Sequence, residues 1–311
     1  MQVKGVALGC KEIKNNIFLA PMAGYTDFSY RELALEMGYG LVFTELVSAK
    51  GLAYKSKGSD RLLACNDYAN TSAQIFGSEP YFMRKACEGE YLRPFEVVDV
   101  NMGCPVPKVF KNGEGSALLK DIKKAEEILK ECVKSGKIIT VKIRTGLKEG
   151  DDVASEFAKM AEQAGVKLVT IHGRVRENYY SGEPDYNAIY KAKKSVSIPV
   201  VANGGIFTVS DADKMMEETG ADGVMIARGA FDNPFLICEL LKVQPNYTLR
   251  EFAIKHLLGL KDNYGEIRAS KEFRKFAVCY LKGIKNVKEK KLKLLSSESI
   301  EEITTILEQT L

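Results

Sequence analysis

The chain has 311 residues, 45% of them apolar and 28% charged, a composition that excludes disorder, a collagen-like repeat and a coiled coil. No apolar run reaches the ~18–20 residues needed to cross a bilayer, and Met1-Gln2-Val3-Lys4-Gly5 lacks the basic stub and apolar stretch of a secretion signal. Seven cysteines with no C-x-x-C pair and only two histidines speak for a reducing, cytoplasmic compartment and against a metal site.

In chain order, short apolar β-branched runs recur at 17–21, 41–45, 72–76, 97–101, 138–144, 168–172, 200–203 and 223–227. Amphipathic stretches separate them, with helices predicted over 121–136, 151–165 and 211–220, each opening on an acidic cap candidate and closing on glycine. Eight strands alternating with helices over about 240 residues predict a (β/α)8 TIM barrel, an α/β fold. A doubly wound sheet is the rival, but a dinucleotide-binding one would carry a G-x-G-x-x-G fingerprint, which this chain lacks.

Past residue 240 the strand pattern stops. Helices are predicted at 248–264, 270–282 and 299–311, so the chain divides into a barrel domain, 1–243, and a small all-helical domain, 244–311, parted at Val243-Gln244-Pro245-Asn246. The net charge of +4 is unevenly spread. Residues 1–240 hold 31 Lys+Arg and 32 Asp+Glu, whereas 241–311 hold 14 and 9, and 268–293 alone hold ten basic residues and two acidic ones. Such a field attracts a polyanion; a solvated, lysine-rich helix face is the other reading.

A barrel of this kind does its chemistry at the carboxyl ends of its strands. Alternation along 138–144 puts Ile139, Val141 and Ile143 under the helices and turns Thr140, Lys142 and Arg144 toward the barrel axis. Thr170, His172 and Arg174 repeat the arrangement, and Gln74 and Asn101 occupy similar places on earlier strands. Cations aimed into a barrel require an anionic or hydrogen-bonding partner there. Ala202-Asn203-Gly204-Gly205 and Ala227-Arg228-Gly229 end the last two strands, the usual phosphate region of this fold; tight turns alone would also explain the glycines. Cys104 stands in the loop Asn101-Met102-Gly103-Cys104-Pro105 at the same rim, while the other cysteines fall in predicted helices or outer segments.

These segments, in order, resemble the tRNA-dihydrouridine synthases. The likeness runs through Ala20-Pro21-Met22-Ala23-Gly24, Phe43-Thr44-Glu45, Gln74-Ile75-Phe76-Gly77, Asn101-Met102-Gly103-Cys104-Pro105, Lys142-Ile143-Arg144-Thr145-Gly146, His172-Gly173-Arg174, Asn203-Gly204-Gly205-Ile206 and Ala227-Arg228-Gly229. The wording around Cys104 is similar to the bacterial B-type branch, and Phe273-Arg274-Lys275 with Tyr280-Leu281-Lys282-Gly283 is similar to the family's tRNA-binding tail. Departures are Phe276 where the family often has His, Gly205 where many members have Asp, and Ala227 in place of a frequent Gly.

The resemblance implies a cytoplasmic enzyme, expected as a monomer without membrane or metal partner, that reduces uridines of tRNA (the D-loop by default) with non-covalent FMN and NADPH as transient reductant. It implies FMN contacts from Pro21, Met22, Ala23, Gln74, Lys142, His172, Asn203, Gly204, Gly205, Ala227 and Arg228, and proton donation from Cys104. Asn101, Arg144 and Arg174 would face the uridine or its phosphate, and Arg274, Lys275 and Lys282 the RNA. An FMN-dependent barrel oxidoreductase of a small pyrimidine-like metabolite shares the barrel features but leaves the basic tail without a purpose. A non-catalytic RNA-binding barrel predicts a protein without a yellow chromophore.

Overall fold

The computed structural model describes residues 1–56 and 58–311. The chain opens with an antiparallel hairpin, β1 (Val6–Leu8) and β2 (Lys11–Ile13), which the sequence pattern does not announce because each strand is only three residues long. Nine further strands follow among the described residues. They are β3 (Ile17–Leu19), β4 (Val42–Phe43), β5 (Val47–Ser48), β6 (Thr71–Phe76), β7 (Val97–Asn101), β8 (Ile138–Arg144), β9 (Leu168–His172), β10 (Val200–Asn203) and β11 (Gly223–Ile226). Their parallel order is β3-β11-β10-β9-β8-β7-β6-β4, with β5 beside β6, and a parallel bridge from Phe18 to Leu41 brings the two ends of the path together. This is the expected (β/α)8 barrel.

The interior is layered. At the amino end Phe18, Leu41, Phe43, Val97, Leu168 and Val201 form an inner apolar core, and Val6, Leu8 and Ile13 of the hairpin join it. The next layer is polar and buried: Gln74, Asp99, Thr140 and Thr170. The cations and amides of the strand ends lie above. Ile139, Val141 and Ile143 face outward into the core beneath the helices, as the alternation of β8 requires.

Two predicted helix starts within the barrel differ from the structure. The helix expected from 151 runs Ala154–Gln163, because the Asp151 carboxylate turns back to accept from the Leu147 and Lys148 N–H groups and closes a loop instead. The helix expected from 211 runs Val209–Thr219, capped by Thr208, with Asp211 three residues in as the acid of a capping box.

After helix Leu236–Leu241 an exposed segment leads into helix Leu249–Tyr264, with Thr248 as its cap, and helix Glu266–Tyr280, which starts four residues before its expected position. Helix Lys288–Ser296 lies outside the predicted set, since only Leu294 of it is buried and its periodicity is faint; Ile300–Glu308 ends the fold. Among the described residues no helix is long and apolar enough to cross a membrane.

The helical part docks on the barrel through aromatics. Tyr30 lies 4.5 Å from Phe231 and 6.1 Å from Phe276 between ring centroids, and His256 sits 4.4 Å from Phe276. His256 is fully buried. Its Nε2 faces the Asp27 carboxylate at 3.2 Å and its Nδ1 the Tyr280 hydroxyl at 2.8 Å, so one imidazole joins both parts. Phe276, the departure from the family's frequent His, is wholly inside this cluster and does not face solvent.

Candidate active site

A cavity of about 820 Å³ opens at the carboxyl ends of the strands. It brings together Cys104, Asn101, Arg144 and Arg174 with all eleven residues expected to touch a cofactor, from Pro21, Met22 and Ala23 through Gln74, Lys142 and His172 to Asn203, Gly204, Gly205, Ala227 and Arg228. A second hollow, about 810 Å³, lies on the outer surface between helices Pro80–Glu88 and Ile122–Val133, away from the strand ends.

The floor is a hydrogen-bonded polar layer. The Asp99 carboxylate accepts from Gln74 Nε2 at 2.7 Å and Thr140 Oγ1 at 2.5 Å, and full burial pushes its pKa up to about 6. Asn101 Nδ2 donates to Gln74 Oε1 at 3.1 Å, and Asn101 Oδ1 accepts from the N–H groups of Gly103 and Cys104 at 3.2 and 2.9 Å. Ser116 Oγ donates to the Cys104 carbonyl at 2.7 Å from the other side. Gly115 allows this crossing: at φ +59° it holds a conformation side chains resist, and a Cβ there would lie 2.9 Å from that of Cys104.

Lys142 opens partly onto the cavity, and its Nζ donates to Asn203 Oδ1 at 2.9 Å. Desolvation, and then the neighbouring Arg144 cation, pull its pKa down to about 7 against the opposing pull of Asp99. Burial and the surrounding cations hold His172 well below the ordinary histidine range, so it is neutral at pH 7. Burial likewise raises the Cys104 thiol above its ordinary 9.0, outweighing the Val106 N–H and the Arg144 and Lys142 charges. At neutral pH the sulfur therefore keeps its proton.

Arg144 and Arg174 line the wall, but most of their donors serve the protein. Arg144 Nε donates to the Gly103 carbonyl at 2.9 Å, and its Nη1 to Val175 and Tyr179 at 3.1 and 2.9 Å. Arg174 holds the Gly182 carbonyl through Nε and Nη2 at 3.0 and 2.6 Å. With Arg228, whose Nη2 reaches the Tyr180 carbonyl at 3.3 Å, they pin the loop that follows β9.

The three tail residues lie outside the cavity. Arg274 donates to the Ser297 carbonyl at 3.4 Å, within the helical part. Lys275 pairs with Glu272 at 2.5 Å and stands 5.7 Å from the Tyr25 ring centre, between tail and barrel. Lys282 pairs with Asp232 at 2.8 Å on the rim.

Sequence reasoning missed several lining residues: Tyr25, Leu46, Tyr180, Phe207, Phe231, Asp232 and Cys279. Cys279 comes from helix Glu266–Tyr280, and nothing in its local pattern distinguishes it from a packed helical cysteine. Tyr180 has a signal, an adjacent aromatic pair after the His172-Gly173-Arg174 strand end. Its ring lies 5.2 Å from the Arg228 guanidinium and 6.3 Å from the His172 ring.

Chemically the cavity favours an anionic, partly flat ligand. Lys142, Arg144, Arg174 and Arg228 line it, and among the described residues Asp232, already paired with Lys282, is the one carboxylate that does. Gly204, at φ +124°, leaves open a cradle that a Cβ would fill, 3.0 Å from the His172 ring and 3.2 Å from Arg174 Nη1. A phosphorylated aromatic cofactor fits this donor set.

Comparison with known proteins agrees in both fold and family. Solved structures share the architecture: histamine dehydrogenase from Rhizobium sp. 4-9 (TM-score 0.60, 14% identity, 82% of this chain and 50% of that one) and a morphinone reductase in complex with tetrahydroNAD (TM-score 0.57, 11% identity, 78% and 91%). At that identity the likeness is one of fold. In sequence the chain is 37% identical over 288 residues to "tRNA-dihydrouridine synthase B" of Pasteurella multocida, covering 89% of this chain and 87% of that one. It is 35% identical over 296 residues to "Probable tRNA-dihydrouridine synthase" of Rickettsia conorii, covering 91% and 89%. The family model described as Dihydrouridine synthase (Dus) matches residues 18–310, so barrel and tail alike place this chain in the dihydrouridine synthase family.

Proposed function

We propose that this protein is a tRNA-dihydrouridine synthase, reducing the C5=C6 bond of specific uridines in tRNA, with those of the D-loop as the expected targets. It would use non-covalently held FMN, recharged by NADPH as a visiting reductant, and act as a cytoplasmic monomer. The reading is carried by one observation: a protonated thiol, Cys104, and a buried-edge cation, Lys142, open into the same cavity at the carboxyl ends of the barrel. The names of the relatives over nearly the full chain support it.

When held there, FMN would supply the hydride chemistry for uracil C6, so that a proton is needed at C5. The protein's own groups do the rest. Pro21, Met22, Ala23, Gln74, Lys142 and His172 would hold the flavin ring, with Asn203, Gly204, Gly205, Ala227 and Arg228 toward its phosphate. The Lys142 ammonium would offer positive charge to the reduced cofactor from the cavity wall. The Cys104 S–H gives its proton to C5, a general-acid step suited to a thiol whose pKa lies above neutrality. The thiolate left behind is favoured by Arg144 and Lys142, both of which lower its pKa. Asn101 and the remaining donors of Arg144 and Arg174 would meet the uridine or its phosphate.

Residues 244–311 would bind the tRNA. Exposed Lys282, Lys285 and Lys288 would meet phosphates, while Arg274 and Lys275, committed largely to protein partners, would contribute at the edge of that surface. Because the base must enter the cavity, the uridine would be turned out of its stack.

The test follows the two half-reactions in purified protein. A yellow protein is expected, reduced by NADPH and reoxidised by unmodified tRNA far faster than by free uridine. Cys104→Ala should leave the first step near normal and cripple the second. A colourless protein that takes up no flavin, or free uridine oxidising it as fast as tRNA, rejects the proposal.

A further inference from the structure

Asp99 touches neither the Cys104 loop nor open solvent, and the barrel holds it fully buried. Its role follows from hydrogen-bond polarity. An ionised carboxylate only accepts, so Gln74 must present its Nε2 to Asp99, at 2.7 Å. Gln74 then has its Oε1 left for Asn101, which answers with Nδ2 at 3.1 Å. Asn101 is thereby obliged to turn Oδ1 toward the loop, where it accepts from the Cys104 N–H at 2.9 Å and the Gly103 N–H at 3.2 Å. Reversing either amide would set N–H against N–H between buried side chains. Thr140 Oγ1, donating to the second carboxylate oxygen at 2.5 Å, holds Asp99 itself in place.

We infer that Asp99 is a positioning residue for Cys104: the carboxylate fixes the amide polarity of Gln74 and Asn101 and so aims the thiol loop. This rests on the proposed proton-donor role of Cys104. Of the remaining anchors, Arg144 Nε on the Gly103 carbonyl and the Ser116 Oγ and N–H on the Cys104 carbonyl hold the loop's acceptors, and the Lys142 carbonyl takes the Met102 N–H at 2.8 Å; none of them grips the Gly103 and Cys104 N–H groups.

The experiment compares Asp99→Asn, Asp99→Ala, Cys104→Ala and the double variant Asp99→Asn/Cys104→Ala, each loaded with flavin. Asn keeps an acceptor oxygen but can face Gln74 either way round, so reoxidation by tRNA should rank Asp above Asn above Ala. The Ala variant should fall by about 100-fold, the scale of a misplaced reacting group. Reduction by NADPH should change much less. The double variant should be no slower in reoxidation than Cys104→Ala alone, since Asp99 acts through the sulfur. A second readout needs no cofactor: alkylation of Cys104 by iodoacetamide, followed by peptide mapping, should be several-fold faster in flavin-free Asp99→Asn, because a loosened loop exposes the thiol. If Asp99→Ala does not fold, the Asn variant decides through alkylation and the double-variant comparison.

Unchanged alkylation, additive losses in the double variant, or equal loss of both half-reactions overturns the inference, the last result placing Asp99 with Lys142 and the cofactor. Should Cys104→Ala itself reoxidise normally, the proton-donor reading fails instead, whatever Asp99 does.

Discussion

Lys142 Nζ lies 2.9 Å from Asn203 Oδ1, and Asn203 turns that oxygen toward it because its own Nδ2 donates to the Met225 carbonyl at 2.7 Å. Three strands thus aim one ammonium at the cavity. Its only hydrogen-bond partner among the described residues is a neutral amide, so the charge is poorly compensated, which is why desolvation brings its pKa to about 7. A base whose folded pKa is depressed destabilises the fold most below that pKa. The cost shrinks as pH rises from about 7 and is gone above the ordinary 10.5.

Lys142→Met in the flavin-free protein is therefore expected to melt at a higher temperature than the parent at pH 6, with the advantage fading toward pH 10. Thermal denaturation of both chains over that range checks it. The same variant should bind flavin more weakly, since the cation that faces the cofactor is gone. A constant difference in melting temperature across the pH range would count against the buried-charge account.

The Cys104 thiol titrates above 9.0. Reoxidation by tRNA is expected to stay level between pH 7 and 9, as far as this group governs it, and to decline above, where the acid is lost. Stopped-flow absorbance under single-turnover conditions separates this limb from nicotinamide binding. A decline already complete by pH 8 would mean an acidified thiol, suited to nucleophilic rather than general-acid work.

How much of this is legible in the sequence depends on distance along the chain. The inward set of β8 is readable because strand alternation is local, and Thr140, Lys142 and Arg144 have to share a face once Ile139, Val141 and Ile143 are assigned to the core. The strand-end glycines and the Cys104 loop are readable for the same reason. What Lys275 does is only half readable: its pairing with Glu272 is a local i,i+3 contact within one helix, but its place beside Tyr25 depends on how that helix, some 250 residues downstream, seats on the first strand end. Cys279 joins the cavity by the same docking, whereas Phe231 and Asp232 belong to the short helix that follows the last barrel strand. Asp151 misleads because an acidic residue before a helix can cap the helix or close the preceding loop, and only tertiary packing chooses between them.

The docking itself is open to test at His256, which bridges Asp27 and Tyr280 with no exposed surface. Burial raises the Asp27 pKa, but the His256 contacts, the Tyr30 N–H and Arg31 together outweigh it and hold the carboxyl below 3.8. The stability Asp27 contributes is thus full above pH 3.8 and lost as pH falls through the folded value. His256→Leu leaves Asp27 buried with fewer partners and should cost about 3 kcal/mol in urea denaturation. It should also shrink the acid-sensitive part of the stability and speed proteolysis in the exposed segment before Leu249. A variant as resistant as the parent would mean that the aromatic packing alone holds the two parts together.

Charge on the tail separates binding from folding. Lys285 and Lys288 are exposed, whereas Arg274 is half-buried and donates to Ser297. Lys285→Glu/Lys288→Glu should leave the melting temperature nearly unchanged, since exposed charges away from close partners contribute little to stability. It should weaken tRNA binding at low salt and make the log–log salt dependence shallower by about 1 for each phosphate that the tail no longer neutralises. Arg274→Ala should behave differently: without its packing and hydrogen bond the melting temperature falls, and any drop in RNA affinity accompanies that change. Reduction of the flavin by NADPH, which needs only the barrel cavity, should be unaffected by the double reversal. Binding and salt slope that survive the reversal intact would remove this face of the tail from the RNA surface.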